Sequence, residues 1–409
     1  MHRAALVVLV SFLVACQSAP TPRHDSGGGA IGANATNTDD PNAGRVTEVD
    51  KDGNVVVVSR ANRPANEATI KPEPIQLEPL KFDEIIQKED RIVFLGDDMT
   101  QQGFYNRAFA AALMGMRPSY SLRFFNGGKD GATAASALEW ADELLEMTKP
   151  TVVFICFGIN DGKNLPPSDE RMQAYEDSLT KLIEKVKARE GVREVVVMSA
   201  PASQTGDIAG GNKGGYNQTL YRMAIAAQGI AGISKVRFID LYEPMRVVYT
   251  EAAKLGAAQP RLAQEAADAG GHMLTHGGRL PTEDGHTVVA SVMLWAIGVN
   301  REMLEPVGWS PLKPPHMGRV RGALGIPLPV PEYRNAVICR QVYEKMREHD
   351  VYFFQAWRLA RPNRPGRDRG QLMDQAASSW FELDSYVKSV YKDTAAATAS
   401  ASSDAPKTD

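Results

Sequence analysis

Asp97 and Asp98 follow the apolar run Ile92–Leu95 and Gly96, and the helical pattern Gln101–Met114 comes directly after them. A strand, a tight turn and a helix place a side chain at the carboxyl end of a parallel sheet, where α/β proteins hold their reacting groups. Adjacent carboxylates suggest a metal site or an acid/base pair. On a turn, however, successive side chains diverge, and no His/Asp/Glu set with metal-ligand spacing lies close in sequence, so neither metal nor cofactor is expected. Asp97 is expected to bond turn amides instead. A second strand ends in Asn126-Gly127-Gly128-Lys129-Asp130-Gly131-Ala132-Thr133, and a third, Thr151–Phe157, ends in Gly158-Ile159-Asn160-Asp161. A glycine lets a backbone N–H approach closely and an asparagine amide donates, so Gly128 and Asn160 can each present a hydrogen-bond donor at a turn; alternatively Asn160 only ties down its own turn.

In this order the three runs resemble the SGNH/GDSL hydrolase family, with its Gly-Asp-Ser block, Asn-x-Gly-x-x-Gly-x-Thr and Gly-x-Asn-Asp. The second block stands intact as Asn126, Gly128, Gly131 and Thr133, and the third as Gly158, Asn160 and Asp161. The resemblance spans roughly residues 90–298. It implies a flavodoxin-like three-layer α/β sandwich, a parallel sheet covered by helices, and ester hydrolase ancestry. It also implies that Asp98 stands where the family has its nucleophilic serine, with Gly128 and Asn160 as oxyanion donors. The run Leu274–His286 resembles the family's last block. Registered on Thr282 and Gly285, it puts Leu280 at the catalytic histidine and Gly277 at the catalytic aspartate.

All three triad positions therefore depart from the pattern. A carboxylate attacking an ester gives a reactive anhydride, and its charge beside an oxyanion pocket has the wrong sign. His276 and His272 are the substitute bases the sequence offers, and His286 matches a structural position in the first turn of a helix.

The surrounding chain sets the context. Its 409 residues carry a formal net charge of −3 and no Lys/Arg cluster, which excludes a strongly basic nucleic-acid footprint. Three cysteines, Cys16, Cys156 and Cys339, do not make a disulfide scaffold; the last two could pair in an exported compartment, although Cys156 lies in a strand pattern and fits a buried apolar role. Residues 1–15 read as an export signal, and Leu13-Val14-Ala15-Cys16 resembles a bacterial lipobox, which implies a lipid on Cys16 and an anchor in the outer membrane or cell surface. Residues 16–80 read as a flexible linker with a β-hairpin at 45–58. The hydrolase-like domain is expected over 81–305, a C-terminal helical extension packed on it over 306–393, and a disordered tail over 394–409. The aromatics around Phe353, with Trp357 and Trp380, suit either a core or a sugar-stacking platform.

Three functional expectations follow. The first is an impaired esterase-like lipoprotein binding an acylated carbohydrate or cell-envelope glycan. The second is a hydrolase working through Asp98 with His276 or His272. The third is a structural surface lipoprotein.

Overall fold

The computed structural model describes residues 45–49, 55–59, 80–204, 215–258, 274–276, 278–309, 333–359 and 368–391. The expectations placed on Cys16, the export signal, most of the linker, His272, Gly277 and the tail lie outside these residues. The chain divides into two compact units, Met1–Gln76 and Leu77–Asp409. In the first, β1 (Arg45–Val49) and β2 (Val55–Ser59) pair antiparallel, with Arg45 opposite Ser59.

The second unit opens with a single helical turn, α1 (Phe82–Ile85), then β3 (Arg91–Gly96), α2 (Asp98–Gln102) and α3 (Phe104–Met116). Next come β4 (Arg123–Gly128), α4 (Ala134–Thr148), β5 (Val152–Cys156), α5 (Asp169–Lys187) and β6 (Glu194–Met198). They are followed by α6 (Tyr216–Ile233), β7 (Arg237–Ile239) and α7 (Tyr242–Ala258). A small antiparallel pair, β8 (Thr275–His276) and β9 (Leu280–Pro281), leads into α8 (Glu283–Ala296) and the short α9 (Arg301–Leu304). Two long helices close the unit, α10 (Tyr333–Phe354), which runs into a π-turn at Gln355–Leu359, and α11 (Arg369–Val390).

The sheet order is β4-β3-β5-β6-β7 and every pairing is parallel. Period-two alternation divides the strands between two cores. Ile92, Phe94, Phe124 and Phe154 face α3 and α8, whereas Val93, Leu95, Phe125, Val153 and Ile155 face α4, α5 and α6. Phe94 stacks on Phe154 and Phe124 and meets Tyr105 and Phe109 edge-on, so the first core is aromatic at its centre.

Two elements differ from the pattern in sequence. The run expected as one helix over Gln101–Met114 breaks at Gly103, whose φ of 74° lies in the left-handed region. The break leaves Asp98 in the first turn of its own short helix. The last helix runs from Arg369, longer than the Trp380–Tyr391 stretch whose pattern reads as helical, because the Asp368 side chain accepts from the Gly370 N–H at 2.8 Å and caps it.

Helices α10 and α11 lie along the edge strand β4 and feed both cores. Trp380, Leu383 and Val387 enter one; Phe353, Trp357 and Ala376 enter the other. The aromatics that suited a sugar platform are thus core residues, with Phe353 at 0% and Trp380 at 5% exposure. Covering β4 also removes an open sheet edge. Cys156 and Cys339 are both buried and are not joined in a disulfide. Trp380→Ala is therefore expected to cost about 3–5 kcal/mol in urea unfolding of the whole second unit; an unchanged midpoint for the sheet would show that the helices fold separately.

Candidate active site

Register builds the site. Gly96 lies opposite Gly128 on one side and Cys156 on the other, so β3, β4 and β5 end level and their following turns meet. This is the point where strand order reverses, the usual location of a ligand crevice in an open α/β sheet. A Cβ on Gly96 would sit 2.1 Å from Thr100 Oγ1 and 2.7 Å from the Cys156 carbonyl, so only glycine permits this turn.

Asp97 caps α2, its Oδ1 accepting from the Met99 N–H at 3.1 Å. Burial, with Asp98 and Asp161 close by, pushes its carboxyl well above the ordinary range, and its Oδ2 has no partner. This is the turn-bonding role expected for it.

Asp98 Oδ2 accepts from the Gly131 N–H at 2.9 Å and from Asn160 Nδ2. Burial opposes its charge, yet hydrogen bonds from the Asp130 carboxyl, the Asn160 amide and the Gly131 N–H prevail and hold its pKa below the ordinary value. The same bond to Asp98, followed by the Asp98 charge, raises Asp130.

Asn160 is held at both ends of its amide. Nδ2 also donates to the Ala132 carbonyl at 2.9 Å, and Oδ1 accepts from Arg279 Nη2. Gly128 has a different job from the one expected. Its N–H donates to Asn126 Oδ1 at 2.9 Å, and a Cβ there would lie 2.1 Å from the Gln101 nitrogen. Gly128 therefore lets α2 approach β4, and Gly131 supplies the N–H that faces Asp98.

The candidate bases fare as follows. His276 is exposed on β8, opposite Leu280 of β9, and no histidine among the described residues hydrogen-bonds Asp98. His286 is fully buried, stacked on Tyr105, with Nε2 2.6 Å from Gln102 Oε1. Burial first, then Arg107 and His276, lowers its pKa to about 3, so it stays neutral and structural. Leu280 packs half-buried against the first core. Among the described residues no group of His, Cys, Asp or Glu has the arrangement to hold a metal ion.

Several site residues were not singled out from sequence. Asp130 donates its N–H to Gln101 Oε1, and Arg358, from the C-terminal π-turn, donates Nη1 to the same oxygen. Burial lowers the Arg358 pKa to about 10, which leaves it a cation, and it lies over the Phe354 and Trp357 rings. Arg279 directly precedes Leu280. Gly131 was visible in the second block; nothing local marks Arg279 or Arg358.

A five-stranded parallel sheet with helices on both faces, and these three turns at its carboxyl edge, make the α/β sandwich of SGNH hydrolases. Residues 94–286, nearly half of the chain, match the model of the GDSL-like lipase/acylhydrolase family. Solved structures similar to it include a gut microbial diltiazem-metabolizing enzyme, 22% identical with a TM-score of 0.44, over 54% of this chain and 49% of that one. The chain thus spans about half the length of that enzyme. An acetylxylan esterase from Geobacillus stearothermophilus is 23% identical with a TM-score of 0.42, over 53% of this chain and 97% of that one. No curated protein sequence matches the chain.

Asp161 reports on the electrostatics beneath the site. Its Oδ1 accepts from the Ala134 N–H at 3.0 Å, and burial raises its pKa to about 6. A raised acid binds its proton more tightly when folded, so its contribution is full below about pH 4 and is lost as pH climbs through about 6. Asp161→Asn is expected to flatten the fall in stability across that window, by up to about 3 kcal/mol in denaturant titrations. Parallel profiles for variant and wild type would contradict this assignment.

Proposed function

We propose that this is an exported, lipid-anchored protein whose esterase site no longer turns over and instead binds an acylated carbohydrate or cell-envelope glycan. One observation carries the proposal. The two donors that would stabilise an oxyanion, Gly131 N–H and Asn160 Nδ2, are already engaged by the ionised carboxylate of Asp98. A second negative charge developing there would be repelled where catalysis needs attraction. Among the described residues no histidine hydrogen-bonds Asp98. Leu280 stands at the histidine position, and His286 is committed to Gln102.

The remaining groups suit a polyol. Carboxylates at Asp98 and Asp130, amides at Asn160 and Gln101, and guanidiniums at Arg279 and Arg358 can accept from and donate to neighbouring hydroxyls. The lipobox-like residues ending at Cys16 support a membrane anchor that would present this site to envelope material.

Short-chain aryl esters test the catalytic half. Wild type is expected to give no turnover above the uncatalysed rate. Asp98→Ser should give little, and Asp98→Ser/Gly277→Asp/Leu280→His should add about 10²–10⁴-fold as the base is restored. Wild-type turnover that disappears in Asp98→Ala would make Asp98 a working residue and overturn the proposal. For the anchor, Cys16→Ser should abolish fatty-acid labelling and move the protein to the soluble envelope fraction. Continued labelling would remove Cys16 as the attachment point.

A further inference from the structure

A second feature adjoins the Asp98 site and uses chain outside the family-matched region. Helix α10 and the α2–α3 turn enclose a cleft of about 700 Å³, within the span of about 300–1,000 Å³ typical of small-molecule sites. Gln101 and Asn126 line it, and both also serve the Asp98 turn, where Asn126 Nδ2 donates to the Gln101 carbonyl at 3.2 Å. The cleft and the Asp98 site therefore share a wall.

The inner part of the cleft is rigidly built. Arg107 Nη1 pairs with Asp350 Oδ2 at 3.0 Å, with both side chains largely buried. The guanidinium lies 5.2 Å from the Phe104 ring centre and 5.1 Å from that of Tyr343. Gly103 keeps the backbone low here, since a Cβ would lie 2.5 Å from Arg107 Nη1 and 2.8 Å from Asn126 Nδ2. Toward solvent the cleft is uncommitted. Arg340 and Gln355 have no hydrogen bond or ion pair with the described residues, and Arg347 and Glu344 approach only to 3.8 Å. Val351 on the same wall is 48% exposed.

Charge selects the ligand class. The lining guanidiniums, Arg107, Arg340 and Arg347, are matched in number by the carboxylates Glu283, Glu344 and Asp350. A strongly anionic or cationic ligand gains no net attraction there. Planar polar side chains beside aromatic and aliphatic surface instead fit a neutral molecule with both hydroxyls and C–H faces. We propose that this cleft is an extension subsite, formed by the C-terminal helix α10, that receives neutral sugar units of an oligosaccharide whose terminal unit occupies the Asp98 site. The proposal rests on the binding function argued above and adds a chain-length preference to it.

The test is calorimetric titration of the intact protein with mono- to hexasaccharides of the gluco-, xylo-, manno- and chito-series. It compares wild type, Arg340→Ala/Gln355→Ala and Asn160→Ala. In at least one series affinity should rise with length by about tenfold or more. The α10 double variant should remove that gain while leaving monosaccharide binding unchanged, and Asn160→Ala should weaken every length. A length gain that survives in the double variant overturns the subsite, while Asn160-dependent monosaccharide binding keeps the Asp98 site as a glycan site. Binding that needs Arg340 and Gln355 but not Asn160 places the sugar in the cleft alone and overturns the linkage between the two. Binding of none of the sugars overturns the subsite outright, and the ester assays then still decide whether the Asp98 site has lost its catalysis.

Discussion

Gly96 lies level with Gly128 and with Cys156, and everything at the top of the sheet depends on that register. Because the three strands end together, the Asp98 turn, the Gly131 turn and the Asn160 turn meet within hydrogen-bonding reach. Slipping one parallel strand by a residue would exchange its two faces between the cores and move its turn away from the others. The aromatic cluster around Phe94 on one face, and Val93 and Leu95 on the other, make such a slip costly.

Within that frame the chemistry is a balance of charges. Four carboxyl groups, Asp97, Asp98, Asp130 and Asp161, lie close together, and burial penalises the charges of Asp97, Asp98 and Asp161, whereas Asp130 is exposed and feels mainly Asp98. The balance is reached by separating their roles. Asp97 and Asp161, buried with few donors, are pushed toward their neutral forms. Asp98 receives hydrogen bonds that outweigh its burial and hold its pKa below the ordinary value. Arg279 and Arg358 lower the cost for Asp130, and Arg279 also fixes the amide of Asn160. The N–H donors that gather at these turns are thus engaged by a carboxylate supplied by the chain itself.

The C-terminal helices belong to this arrangement. They cover the β4 edge through Phe353, Trp357 and Trp380, and through the buried Arg107–Asp350 pair they are fixed to α3. A pair of charges removed from water is unforgiving of the loss of either partner, which makes it a specific tether. Through Arg358 and Gln101 the same helices reach the turn that carries Asp130 and Gly131.

The sequence by itself determined the strand–helix alternation, the three turns and the residues that depart from the resembled pattern. Those properties are local: apolar runs of period two, glycines where no side chain fits, and residue identity at Asp98, Leu280 and Gly277. It did not show that Gly131 rather than Gly128 turns its N–H toward Asp98, because that depends on how Asn126 captures Gly128. It left His276 undecided between base and bystander, since only packing shows it exposed on β8. Tertiary structure alone brought Arg279 and Arg358 to the site from 119 and 257 residues away along the chain from their partners. A pattern in sequence records what each segment does to its neighbours; a charge balance among distant side chains exists only once the segments are packed.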